Sequence, residues 1–69
     1  MERSTVTIRE TSDGWEVSRG NLFANTAAEA LNCVKQQDQE LASRGISNIT
    51  VITWEPTTRL GRRVIKALQ

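Results

Sequence analysis

The stretch Thr26-Ala27-Ala28-Glu29-Ala30-Leu31-Asn32-Cys33-Val34-Lys35-Gln36-Gln37-Asp38-Gln39-Glu40-Leu41-Ala42-Ser43-Arg44-Gly45 reads as one helix set between strands. Its opening, Thr-Ala-Ala-Glu, matches a capping box, with the Thr26 hydroxyl accepting the Glu29 amide and the Glu29 carboxylate reaching back to the N-cap amide. Good helix formers fill the interior, and Gly45 supplies the left-handed residue that ends it. At about 100° per residue, with Leu31 at 0°, Ala27, Val34, Leu41 and Ala42 fall between about −80° and +20°. One apolar stripe therefore faces a sheet.

Two residues sit badly on that helix. Asp38, at about −20°, lies within the stripe, which implies that the stripe has left the sheet there or that an arginine reaches it; a recognition or catalytic role is the alternative. Cys33, at about −160°, falls on the face turned to solvent or a partner, without neighbours in sequence that would strongly activate its thiol.

Moving toward the N-terminus, Thr5-Val6-Thr7-Ile8-Arg9 alternates with period two and predicts a strand with Val6 and Ile8 inward. Thr11-Ser12-Asp13-Gly14 is a turn, after which Trp15 and Val17 share one face of a second, antiparallel strand. A further turn at Arg19-Gly20-Asn21 leaves room for a short third strand at Leu22-Phe23-Ala24.

On the other side of the helix, Ile49-Thr50-Val51-Ile52-Thr53-Trp54-Glu55 is the strongest strand, closed by Pro56. Ile49 and Val51 share one face, Ile52 and Trp54 the other. Trp54 is accordingly a candidate exposed anchor for a partner, or else a residue packed under the C-terminal segment. The expected fold class is α+β: an antiparallel sheet of three or four strands with one covering helix, order ββ(β)αβ, plus a short C-terminal helix. It forms a single small domain, with a body over 1–56 and a basic segment over 57–69.

That last segment holds Arg59, Arg62, Arg63 and Lys66 and no acid, so it carries +4 on a chain of net charge +1, leaving −3 on the body. Wound as a helix, all four cations fall within about 100° of arc, beside an apolar stripe of Leu60, Val64 and Leu68, with Gly61 and Ile65 in the remaining arc. Gly61 weakens such a helix by about 1 kcal/mol relative to alanine, so docking or a ligand is needed to order it.

Composition removes several functions. There is no histidine and no tyrosine, and Cys33 is the only thiol. A Cys/His zinc site, a Cys-His or Ser-His nucleophile pair and an intramolecular disulfide are thereby excluded. The acids lack calcium-loop spacing. A carboxylate pair such as Glu10 with Glu16 across the first hairpin would sit exposed, with no pocket to tune it. The sequence thus names no catalytic residue, metal or cofactor. Apolar runs reach only two or three residues, so no membrane span is expected, and with one unpaired thiol and no leader-like opening a cytoplasmic location is the default.

The strand pair followed by Asn25-Thr26-Ala27-Ala28-Glu29-Ala30-Leu31 resembles the sheet-plus-helix half of HicB-type antitoxins, where a comparable T-x-x-E-A-L opens the covering helix. The chain carries neither the glycine-cysteine and proline pattern usual before that helix nor a separate DNA-binding domain, so the resemblance implies fold alone. In size and layout it is also similar to small phage-encoded inhibitors, including some anti-CRISPR proteins, and fold does not imply function.

Two functions compete. The first is a small non-enzymatic regulatory or inhibitory protein, of the kind phages and mobile elements encode, that binds a protein partner through Arg59, Arg62, Arg63, Lys66 and Trp54. Self-association as a homodimer belongs to the same class. The second places the four cations on nucleic-acid phosphates, with Thr57 or Thr58 adding hydroxyl contacts; four phosphates would give a salt slope of only about −3 to −4.

Overall fold

The computed structural model describes residues 2–69, with strands β1 (Glu2–Thr11), β2 (Gly14–Val17), β3 (Leu22–Ala24) and β4 (Asn48–Glu55), and helices α1 (Ala27–Ser43) and α2 (Arg59–Leu68). The four strands form one sheet in the order β3-β2-β1-β4. The α+β architecture and its element order are those the sequence predicts. One pairing differs from the expected antiparallel sheet: β4 runs parallel to β1, from Glu2 opposite Asn48 to Arg9 opposite Glu55. The cause is topological. Two hairpins turn β3 back to the direction of β1, and the 17-residue α1 then carries the chain back along the sheet, so β4 enters beside β1 in the same sense.

Alternation in β1 and β2 does what its period requires. Val6, Ile8, Trp15 and Val17 are buried under the helices, together with Ala24, Ala27, Ala30, Val34 and Ile65. The opposite face of the sheet is bare. On it lie Thr5, Thr7, Arg9, Glu16 and Phe23, with Ile49 and Val51 of β4 beside them.

The Thr26 hydroxyl accepts the Glu29 amide at 3.1 Å. The reciprocal bond reaches one residue further than expected, because the Glu29 carboxylate accepts the amide of Asn25 at 3.2 Å. At the other end Gly45, with φ +79°, allows its own N–H to reach the Ala42 carbonyl and that of Ile46 to reach Leu41, which is a Schellman closure. The buried face of α1 is rotated from the predicted stripe. Ala27, Ala30 and Val34 are buried, Leu31 and Leu41 half-buried, and Ala42 exposed. Two alanines let the helix approach the strands closely, so the smaller side chains rather than Leu31 take the centre of the contact.

Where the apolar core ends, the inward face continues in polar residues. Arg19 donates through Nε to Gln37 at 2.7 Å, and through its terminal nitrogens to Asp38 at 3.0 Å, Thr50 at 3.4 Å and the Val34 carbonyl at 3.3 Å. Thr50 donates to Asp38 at 2.7 Å, and Asn48 bridges Thr50 and Ser4. Asp38 thus sits on the sheet-facing side of α1 because an arginine meets it there, and each carboxylate contact is part of the fold.

Candidate functional site: the basic face of the C-terminal helix

Position 10 of β1 holds the key to α2. Its side chain points to the helix-covered face, at the end of the strand where Thr57 and Thr58 leave β4. The Glu10 carboxylate accepts the amides of Thr57 and Thr58 at 2.7 and 2.9 Å and their hydroxyls at 3.2 and 2.8 Å. Thr58 then caps α2 by accepting the Gly61 amide at 2.9 Å. The first turn of α2 contains no acid of its own, so a carboxylate supplied by another strand answers the positive end of the helix dipole. These bonds, led by the Thr57 amide, hold the Glu10 carboxyl below its ordinary pKa, against a smaller opposing effect of burial. Glu16, in contrast, lies on the bare face, because Arg9 pairs with Glu16 and Glu10 with Trp15. A Glu10–Glu16 carboxylate pair is therefore not formed: neighbouring strand positions point to opposite faces.

Thus anchored, α2 buries Gly61 and Ile65 and packs Val64 and Leu68 against the core. This corrects the expected stripe. Leu60 is not docked but 70% exposed, since the contact is centred on the arc of Gly61, Leu68 and Ile65. The rotation has a consequence for charge. Arg59, Arg62, Arg63 and Lys66 are all exposed and fall on the arc diametrically opposite the docked residues. Among the described residues, no carboxylate lies within salt-bridge distance of any of the four, the ion pairs being Arg9–Glu55 and Arg19–Asp38.

Trp54 is not part of this display. Its ring stands edge-on to Trp15 with centroids 6.0 Å apart, half-buried against the core that Val64 and Leu68 also pack on. Trp54 is thus not a freely exposed anchor: it is half-buried on the helix-covered face, its ring set against Trp15 and the core. The apolar residues that β4 does expose are Ile49 and Val51, at 43% and 44%. Cys33 is half-buried on the flank of α1, in a shallow groove shared with Leu22 and Gln37.

No family model, curated protein or solved structure matches this chain. Its chemistry is read from its own geometry. Among the described residues, no cluster of three or more acids or cysteines could hold a metal ion, and no helix is long and apolar enough to cross a membrane. Three residues that govern the site escaped the sequence reading. Glu10 offered no local signal, because its partners are 47 and 48 positions away. Leu60 and Gly61 could be placed on α2 but not oriented, since both arcs flanking the cations contain apolar residues.

Proposed function

We propose that this protein is a small non-enzymatic binder, regulatory or inhibitory in role, that holds an acidic surface of a protein partner against the outer face of α2. The observation that carries this reading is the free state of Arg59, Arg62, Arg63 and Lys66. They are exposed, unpaired among the described residues, and turned away from the docked side of their helix. Arginine forks suit carboxylates on a partner, and Leu60, exposed at their flank, gives such a contact an apolar edge. Action in the cytoplasm, and an origin among the small proteins of phages or mobile elements, belong to the same proposal.

The competing reading puts the same cations on nucleic-acid phosphates. Four contacts and a body of charge −3 weigh against it, because the body repels a polyanion that the tail attracts. Affinity capture from the native host, run beside titration with short DNA and RNA at two salt concentrations, separates the two. Capture of one protein at fixed stoichiometry, lost on Arg62→Glu with Arg63→Glu, is the expected result. Salt-sensitive, sequence-independent nucleic-acid binding lost in the same variant would instead establish the second reading.

A further inference from the structure

The sheet has two open outer strands of very different character. β3 is three residues long, whereas β4 presents eight residues whose backbone, among the described residues, bonds to β1 alone. Natural sheets blunt a long edge with lysine, proline, a bulge or a covering element. These devices stand only at the end of β4, in Glu55 and the Pro56 that follows it: from Gly45 to Trp54 there is no charged residue and no proline. Three of the exposed large apolar side chains, Ile46, Ile49 and Val51, gather on this short stretch.

We infer that β4 pairs antiparallel with β4 of a second copy of this chain, joining two four-stranded sheets into one of eight strands. Charge selects both the occupant and the direction. The charges that bracket the uncharged stretch have opposite signs, Arg44 before it and Glu55 after it. Antiparallel self-pairing brings the Glu55 end of each copy toward the Arg44 end of the other; parallel pairing would set like against like. A register with Val51 opposite Val51 of the second copy keeps seven residues of each strand, Asn48 to Trp54, in the ladder. It also sets Ile49 opposite Thr53 on the bare face, and Ile46 opposite Pro56 just beyond. Opposed residues of such a pair lie on the same face, so β-branched side chains meet β-branched side chains across the two-fold axis. The interface is isologous, closing at two copies.

This contact is independent of α2, and its test keeps the two apart. Sedimentation equilibrium of the full chain from about 10 µM to 1 mM should show the molar mass rising toward twice the monomer value. Val51→Lys should raise the dissociation constant by about tenfold or more, with an unchanged far-ultraviolet circular dichroism spectrum, since Val51 is outside the core. In a Cys33→Ser background, Val51→Cys should form an intermolecular disulfide on mild oxidation, because directly opposed residues meet the required Cα separation. Phe23→Cys, on the other edge, should not. Arg62→Glu with Arg63→Glu should leave the dimer intact. A monomer at all concentrations, a dimer untouched by Val51→Lys, a crosslink at position 23 as efficient as at 51, or loss of the dimer on reversing the α2 charges would each overturn the assignment.

Discussion

Gly61 faces the carboxylate of Glu10 with no room between them: a Cβ at position 61 would lie 2.6 Å from the Glu10 Cδ and 2.8 Å from its Oε2. A helix residue on α2 and a strand residue on β1 thus share one space. The glycine that weakens α2 as an isolated helix is what lets the helix dock.

Gly61→Ala should therefore destabilise the protein, although alanine favours a helix by about 1 kcal/mol. The carboxylate it displaces is the end of a flexible side chain, but one pinned by the Thr57 and Thr58 bonds. A fall in melting temperature of about 4 °C or more is expected, from the scale of 4–8 °C per kcal/mol in a domain of this size. In a Glu10→Ala background the same substitution should raise the melting temperature, as the propensity gain is then unopposed. A rise in the wild-type background would show that Glu10 swings away without loss.

Acid should loosen α2 before it unfolds the sheet. The folded pKa of Glu10 is lowered from 4.5, so its contribution is complete above that value and disappears as pH falls through the folded pKa. Tryptophan fluorescence reports the change, because Trp54 packs on the same core as Val64 and Leu68 of α2. An acid transition below about pH 4.5 is expected, and Glu10→Gln should remove the pH dependence while starting from the loosened signal. A transition of equal size in Glu10→Gln would assign it to another carboxylate.

The two ion pairs should differ in weight. Arg19–Asp38 closes at 3.0 Å within a network and is 25% and 35% exposed, whereas Arg9–Glu55 spans 3.5 Å on the bare face at 59% and 47%. Arg19→Ala is expected to lose about 1–3 kcal/mol in urea unfolding, because Asp38, Gln37 and Thr50 lose a shared donor. Arg9→Ala should lose no more than about 0.5 kcal/mol. Equal losses would mean that the network contributes nothing beyond a surface pair.

Reversal of Arg62 and Arg63 to glutamate should leave stability within about 0.5 kcal/mol, since both are exposed and unpaired among the described residues. Denaturant midpoints check this directly. A larger loss would show that the cations serve the fold and not a partner.

Much of the architecture was legible in the sequence because the signals are local and periodic. The capping residue Thr26, the closing Gly45, the period-two alternation through Val6 and Ile8, and the arc shared by Arg59, Arg62, Arg63 and Lys66 all follow from neighbours a few positions apart. Asp38 was legible in part: its misfit on the stripe meant either that the stripe had left the sheet or that an arginine reached it, and Arg19 does so from 19 positions away.

What only the tertiary structure decided is how those elements face one another. Strand periodicity assigns Ile52 and Trp54 to one face and Ile49 and Val51 to the other, but which face is covered depends on the side on which α1 crosses the sheet and on where α2 docks beside it. The docking of α2 in turn depends on Glu10, whose four bonds reach Thr57 and Thr58 across most of the chain. The direction of β4 likewise followed from the path of α1 over the sheet. By itself the sequence determined the elements, the arc of charge on α2 and the lack of the histidines that a Cys/His zinc site or a histidine-activated nucleophile needs. The half-burial of Trp54, exposure of Leu60 and the outward aim of the four cations came from packing, because a helix with apolar residues on both flanks of its charged arc can dock by either one until a distant carboxylate selects.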